Sequence, residues 1–457
     1  MSAHRRFSYS SPEDLARDIA RLGLEKDIPL ADDVGLLLTP AHIGRSVAPN
    51  RLAIHPMEGC DGTSEGKPGE LTTRRCLRFA QGGAGLIWFE AAAILNEARA
   101  NPRQLLMVKE NLPEMKLLVA KTVAAAEEEF GHDHTPLCLI QLTHSGRYSK
   151  PKPIFAVHNP YLDPPLGIDE TDAPCTDAYI EALVPVYVRA AEIARDAGFA
   201  GVDIKSCHRY LISELLSART RTGRYGGDFD CRTRLVRETA EAIVRAVGHD
   251  MMVATRMNVY DALPHPYGWG TSDTRPGHPD PDLSEPIRLA RILRDTGVSL
   301  INVTFGNPYY NPHISRPFDT GPYVPPEHPL ERIAVMLRLT EEIKRAVPEV
   351  TVVGTGYSWL RHLAPFVASG VLSRGGADVI GFGRMSFAYP DFARDLMREG
   401  RMELRKSCTT CSSCTVMMRD GMPTGCPVRD KEVYLPIYKK GREGKPPASG
   451  TEVKTHI

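Results

Sequence analysis

Short apolar runs alternate along most of the chain with longer stretches whose apolar residues recur every three to four positions. The runs Arg51–His55, Ala84–Phe89, Leu137–Leu142, Gly201–Lys205, Met251–Arg256, Leu300–Thr304, Val350–Gly354 and Asp378–Phe382 predict eight strands, because an unbroken apolar run of this length suits a strand buried on both faces. The stretches Pro113–Phe130, Asp177–Ala197, Cys231–Val247, Ser284–Thr296 and Leu330–Ala346 predict amphipathic helices. Gly198 and Gly297 stand just ahead of strands, where a left-handed helix stop makes a tight turn into a sheet. Such alternation fits an open doubly wound sheet or a closed barrel. The polar residues choose between them. His55, Glu58, Glu90, Gln141, Lys205, Arg256, Thr304 and Arg384 sit at or just past the C-terminal ends of most runs, and only a barrel brings such ends to one mouth. No glycine fingerprint follows the first run, as an open dinucleotide-binding sheet would require. The predicted fold is an α/β, (β/α)8 TIM barrel.

Around the barrel, Ser11-Pro12-Glu13 reads as the N-cap and first turn of a helix reaching about Leu22. Residues 36–52 carry two apolar patches around Gly44 and Pro49, the pattern of a hairpin that plugs the barrel bottom. Three loops rich in Pro and Gly, Lys150–Pro174, Pro264–Pro286 and Gly306–Pro329, are longer than ordinary connections, as loops that shape a pocket are. Lys and Arg total 56 and so do Asp and Glu; zero formal net charge offers no field for nucleic acid or an anionic membrane. No run approaches the roughly 18 apolar residues of a membrane span. Ten cysteines in 457 residues are too sparse for a disulfide scaffold. The expectation is a soluble, cytoplasmic protein with reduced thiols.

Four of those cysteines crowd together: Cys408, Cys411 and Cys414, then Cys426 followed by Pro427. Three close thiolates and a remote fourth have the spacing of a [4Fe-4S] site, with zinc or unligated thiols as the other readings. Lys205, His208 and Tyr210 follow the fourth run and supply a cation, a switchable donor and a phenol where a barrel puts catalytic groups. The plainer alternative packs Tyr210 into the next helix and leaves Lys205 on the rim. Gln141 and Arg256, ending the third and fifth runs, can hold a flat, carbonyl-rich heterocycle, or else cap and pin local backbone. Gly356 after the seventh run, and Gly383 with Arg384 after the eighth, stand where such barrels bind phosphate.

Longer motifs join these residues: Leu37-Leu38-Thr39-Pro40-Ala41-His42-Ile43-Gly44 with Asn50-Arg51 and Pro56-Met57; Gly82-Gly83-Ala84-Gly85 with Glu90-Ala91; Gln141-Leu142-Thr143-His144-Ser145-Gly146-Arg147; and Tyr225-Gly226-Gly227 with Arg232. On them the chain resembles the Old Yellow Enzyme family of FMN oxidoreductases over about Val34 to Pro427. Within it, the chain is most similar to the iron-sulfur branch of 2,4-dienoyl-CoA reductase and trimethylamine dehydrogenase. The resemblance implies that Pro56, Met57, Glu58 and Ala91 line the flavin ring, that Gln141 and Arg256 bind its pyrimidine edge, and that Gly356, Gly383 and Arg384 hold its phosphate. It implies Tyr210 as proton donor, with Lys205 and His208 on the substrate oxygen; Lys205 departs from the family, whose ene reductases usually carry His there. His313 and Arg316 are the implied substrate contacts; Tyr309, an aromatic neighbour of the kind a neutral amine needs, is a further candidate contact.

The domains expected are then a helical appendage (1–33), an FMN-binding barrel (34–400), a [4Fe-4S] segment (401–430) on Cys408, Cys411, Cys414 and Cys426, and a polar tail (431–457). The function expected is reduction of an activated C=C bond. An amine or methoxy-compound dehydrogenase or demethylase draining electrons through the cluster is the alternative, and a non-catalytic flavin and iron-sulfur carrier the third reading. With 31 residues after Cys426, no second dinucleotide domain is expected. Electrons would then come from a ferredoxin, a flavoprotein reductase, or NAD(P)H at the FMN itself; a homo-oligomeric state is left open.

Overall fold

The computed structural model describes residues 4–275, 277 and 279–445. A short antiparallel hairpin, β1 (Ala41–Ile43) and β2 (Ser46–Ala48), precedes a closed barrel. The barrel strands are β3 (Leu52–Ile54), β4 (Leu86–Ala93), β5 (Leu137–Thr143), β6 (Gly201–Ser206), β7 (Met252–Tyr260), β8 (Leu300–Phe305), β9 (Thr351–Gly354) and β10 (Val379–Phe382). Neighbours pair in parallel around the ring, and β10 closes it against β3 with Ile380 opposite Leu52. Apart from half-buried Leu137, every residue of these eight strands is buried, which is why the sequence reads there as continuous apolar runs. The register slips once between β4 and β5, at Glu90, and once between β7 and β8, at Val259. Both bulges lie toward the mouth, where they turn side chains out of the regular alternation.

Ala41, Ile43 and Ala48 of the hairpin pack with Trp88, Leu139, Leu300 and Val353. The hairpin therefore closes the barrel bottom and leaves the other end for the site. Outside the strands lie α1 (Pro12–Arg21), α2 (Glu70–Ala80), α3 (Leu112–Phe130), α4 (Leu183–Asp196), α5 (Arg234–Val247), α6 (Ser284–Thr296), α7 (Pro329–Ala346) and α8 (Ala364–Ser373). α1 begins as its sequence dictates, the Ser11 hydroxyl accepting from the Asp14 N–H and Pro12 filling the first turn. The helix expected over 177–197 is broken into Asp177–Glu181 and α4, because Pro185 has no N–H to give the Glu181 carbonyl. α9 (Phe392–Glu399), α10 (Ser413–Arg419) and α11 (Lys431–Arg442) follow the barrel. The tail expectation meets a helix over 431–442, and its residues 446–457 lie outside the described ones. Among the described residues no helix is long and apolar enough to cross a membrane.

The C-terminal segment corrects the iron-sulfur expectation. Among the described residues, no group of three or more His, Cys, Asp or Glu side chains is placed to hold a metal ion. The [4Fe-4S] cluster on Cys408, Cys411, Cys414 and Cys426 is thereby overturned, and with it the iron-sulfur branch and the metal-binding role. All four are free cysteines. Burial pushes the Cys408 thiol up to about 12 and raises Cys414 and Cys426 as well, which favours neutral thiols over the thiolates a cluster requires. The Cys408 sulfur accepts from the Thr410 N–H at 3.3 Å, and Cys411 contacts the Ser413 hydroxyl at 3.3 Å. What the segment does is strap the barrel mouth. The Ser412 hydroxyl donates to the Thr320 carbonyl (2.8 Å), the Thr424 N–H to the Gly59 carbonyl (2.6 Å), and Asp430 pairs with Arg74 (2.7 Å) and Arg78.

Candidate active site

The loop leaving β3 forms the first wall of a cavity at the mouth, with His55, Pro56, Met57 and Glu58 lining it. Two buried contacts fix this loop. His55 Nδ1 lies 3.1 Å from the Asn302 amide nitrogen of β8, which makes Nδ1 the acceptor and leaves Nε2 to carry the proton. Burial holds the His55 pKa well below the usual imidazole value, so the ring is neutral. Glu90, displaced by the bulge in β4, accepts the Gly59 N–H at 3.0 Å and pairs with Arg75 of α2, which also grips Asp61. Gly59 has to be glycine, because a Cβ there would collide with the Arg75 guanidinium.

The turn after β6 forms the second wall. His208 and Arg209 both have left-handed backbone, at φ 64° and 60°, a conformation that costs non-glycine residues about 1–3 kcal/mol each. An anchor beneath the turn offsets that strain. Arg209 is fully buried, pairs with Asp261 at 2.8 Å and donates to the Tyr267 carbonyl at 2.8 Å. The turn thereby presents His208 and Tyr210 to the cavity, with the Lys205 ammonium 3.8 Å from the centre of the Tyr210 ring. The Tyr210 hydroxyl donates toward Glu58 Oε1 at 3.4 Å and lies 3.1 Å from the Tyr309 hydroxyl. Burial first, and Glu58 next, raise the Tyr210 pKa well above that of a free phenol. Burial lowers Lys205, and burial with the Arg256 and Lys205 charges lowers His208 well below its ordinary value. The site thus offers a protonated phenol and a neutral imidazole side by side.

Deeper in the cavity, Gln141 donates to Asp203 at 2.6 Å, and Asp203 also accepts the Arg256 backbone N–H at 2.5 Å. At the β9 and β10 end stand Gly356, Gly383 and Arg384. Gly356 takes φ 107°, which a side chain would not tolerate, and lets its backbone face the cavity. Arg384 donates to the Pro317 carbonyl at 2.7 Å, which sets it beside Arg316. Burial and Arg384 lower the Arg316 pKa, as expected of two cations pressed together. Among the described residues, none of Arg256, Arg316 and Arg384 has an ion-pair partner. Arg256 Nε, Arg316 Nη2, Arg384 Nη1 and His55 Nε2 are buried without any hydrogen-bond partner. Native interiors satisfy such donors, so the cavity is built for a ligand rich in acceptors and negative charge. FMN, with a pyrimidinedione edge and a dianionic phosphate, fits that donor set. Arg256→Met should then raise the dissociation constant for FMN about tenfold or more, since one charge-assisted contact contributes roughly 1.5–3 kcal/mol; flavin retained per chain after dialysis measures it.

Of the residues singled out from sequence, Pro56, Met57, Glu58, Ala91, Gln141, Arg256, Gly356, Gly383 and Arg384 all line this cavity, as do Lys205, His208, Tyr210, Tyr309 and Arg316. His313 does not. Its Nδ1 lies 2.6 Å from the Tyr323 hydroxyl and its Nε2 3.7 Å from Glu327, and burial lowers its pKa to about 4. Sequence reasoning passed over the Arg209–Asp261 pair, the His55–Asn302 contact and Asp203. Asp203 alone carried a signal, as a lone acid in the apolar run Val202-Asp203-Ile204.

A model of the NADH:flavin oxidoreductase / NADH oxidase family matches residues 36–268. The chain belongs to this family. The match to the NADH:flavin oxidoreductase family runs from the bottom plug to the loop after β7. The chain is 28% identical over 427 residues to a metal reductase of Desulforamulus reducens, covering 90% of this chain and 56% of that one. It is 26% identical over 387 residues to an NADH oxidase of Thermoanaerobacter brockii, covering 82% and 52%. The chain thus spans about half the length of the curated relatives it matches. Among solved structures, a 2-naphthoyl-CoA reductase in complex with 2-naphthoyl-CoA aligns with a TM-score of 0.69 at 21% identity, over 90% of this chain and 58% of that one, a likeness of fold.

Proposed function

We propose that the protein is an FMN-dependent reductase of activated C=C bonds, with Tyr210 as its proton donor. The observation that carries this reading is one cavity lined both by buried guanidiniums that keep an unsatisfied N–H and have no ion-pair partner among the described residues, and by a protonated phenol. Bound FMN, once reduced by two electrons, would supply a hydride from its N5 to one carbon of the double bond. The chain's residues do the rest. Lys205 and His208 receive the substrate's carbonyl oxygen and stabilise the negative charge that develops on it. Tyr210 O–H gives its proton to the neighbouring carbon, and contacts with Glu58 and Tyr309 hold that hydroxyl in place. Lys205, the cation placed at the substrate's oxygen rather than at the flavin, opposes a cationic amine as substrate. Electrons enter from NAD(P)H docking at the mouth or from a reduced carrier protein, and the free cysteines suit a reducing cytoplasm. Anaerobic mixing of the photoreduced holoprotein with 2-cyclohexenone tests the assignment. Reoxidised flavin absorbance with cyclohexanone formed in equal amount is expected; no reoxidation by a panel of enones would overturn it.

A further inference from the structure

A second cavity of about 410 Å³ lies outside the first and meets it at Glu58, Tyr309 and Met418. That volume is within the range of small-molecule sites. Its walls have a distinct character. Tyr148 stacks on Tyr309 with ring centroids 4.0 Å apart, and Tyr161 meets Tyr310 edge-on at 5.9 Å. Leu162 and Leu166, from the long loop after β5, add apolar surface. Two exposed cations, Lys150 from that loop and Arg419 from the end of α10, also line it, against the single carboxyl of Glu58 where the two cavities meet. Neither has an ion-pair partner among the described residues, and Arg419 spends one N–H on the Pro308 carbonyl at 2.7 Å.

Flat tyrosine faces favour a planar body, since stacked and edge-on ring contacts contribute beyond the area they bury. Two cations beside them favour an anionic end. From this juxtaposition we infer that the outer chamber is a substrate subsite, taking the distal part of an unsaturated carbonyl compound whose aromatic or polyene body ends in a carboxylate or phosphate. The inference rests on the proposed reaction in the inner cavity, where the reacting end of the same molecule meets Lys205, His208 and Tyr210. It explains why the strap over the mouth brings α10 to the loop after β5: Met418 and Arg419 finish a chamber that the barrel alone leaves open.

The test uses the FMN-loaded holoprotein and matched aryl enones that differ only in the ring substituent far from the double bond: hydrogen, carboxymethyl or phosphonomethyl. The anion-ended compounds should show KM values about tenfold below the neutral one, the size expected of two partly exposed charge contacts. The two anions tell the carboxylate source from the phosphate source. In the double variant Lys150→Ala, Arg419→Ala that preference should fall to less than twofold, and Leu166→Trp, which fills the chamber, should raise KM for all three aryl compounds. FMN content and melting temperature confirm that each variant is folded. Equal KM values in the wild type, or a preference that survives the double variant, would overturn the subsite. Calorimetric binding of the saturated, non-reacting analogues separates the two levels of the reading. Tight, charge-dependent binding without any turnover of the enones would sink the reaction and leave the subsite standing, whereas turnover without charge preference would do the reverse.

Discussion

Replacing Tyr210 by Phe should slow reoxidation of the reduced flavin by an enone about 100-fold or more, the loss typical of one general acid. Reduction of the flavin should stay within about twofold of wild type, because the proton is needed only after electrons have reached the cofactor. The packing argument supports so clean a split. Tyr210 is buried, and its ring lies under the Lys205 ammonium and is stacked in parallel with Tyr309, 6.5 Å between centroids. Phe keeps those ring contacts and removes only the hydroxyl that reaches Glu58 and Tyr309. The pH profile provides a second readout. Burial and Glu58 raise the phenol's pKa, so the phenol itself should cause no alkaline fall in the oxidative rate; the fall expected there comes from Lys205, whose pKa burial lowers, and should persist in the Phe variant. Stopped-flow traces of the two half-reactions measure both effects, and equal slowing of the two would show Tyr210 to be structural.

The barrel was legible because its strands are buried on both faces and its helices on one, two patterns that one sequence displays without help. Strand ends were less so. β4 runs on to Ala93 and β7 to Tyr260, past the polar residues that mark the mouth, since bulges at Glu90 and Val259 let pairing continue beyond the apolar run. In the site, position at strand ends marked Gln141, Lys205 and Arg256 as candidates with capping and rim roles open beside them, and all three line the cavity. Contacts that cross the barrel carried no such mark: nothing local ties His55 to Asn302, or Arg209 to an aspartate 52 positions later. Arg316 was expected from the family resemblance as a substrate contact paired with His313, yet its neighbour is Arg384, a relation set by how two loops fold over each other. The cysteine run misled for a related reason. Spacing along a chain says how near thiols can come, whereas binding a metal needs them to converge as thiolates, and burial opposes that ionisation here.

Arg209→Met should cost about 3–5 kcal/mol of folding stability, the usual penalty for removing one partner of a buried pair. Arg209 and Asp261 are both fully buried, so the variant strands a carboxylate that water cannot reach. The remaining donors to Asp261, the Trp269 N–H at 3.1 Å and the Asn258 amide, offset only part of that charge. The pH dependence has a definite sign. Burial already raises the Asp261 pKa, against the pull of Arg209, and losing the guanidinium raises it further. A carboxyl with a higher pKa in the folded state binds more protons there than in the unfolded chain. Its stability contribution is therefore present near pH 4 and is lost as pH rises through the folded value. The variant's deficit against wild type should be smallest near pH 4 and largest at neutral pH, and adding Asp261→Asn should recover part of it at neutral pH. Activity should fall together with stability, because the left-handed turn at His208 and Arg209 loses its anchor and Tyr210 its aim. Urea melts across pH 4 to 8 measure the first effect and reoxidation by an enone the second. A variant melting at the wild-type midpoint at pH 7, or one as fast as wild type, would show that the pair neither stabilises the fold nor holds the turn.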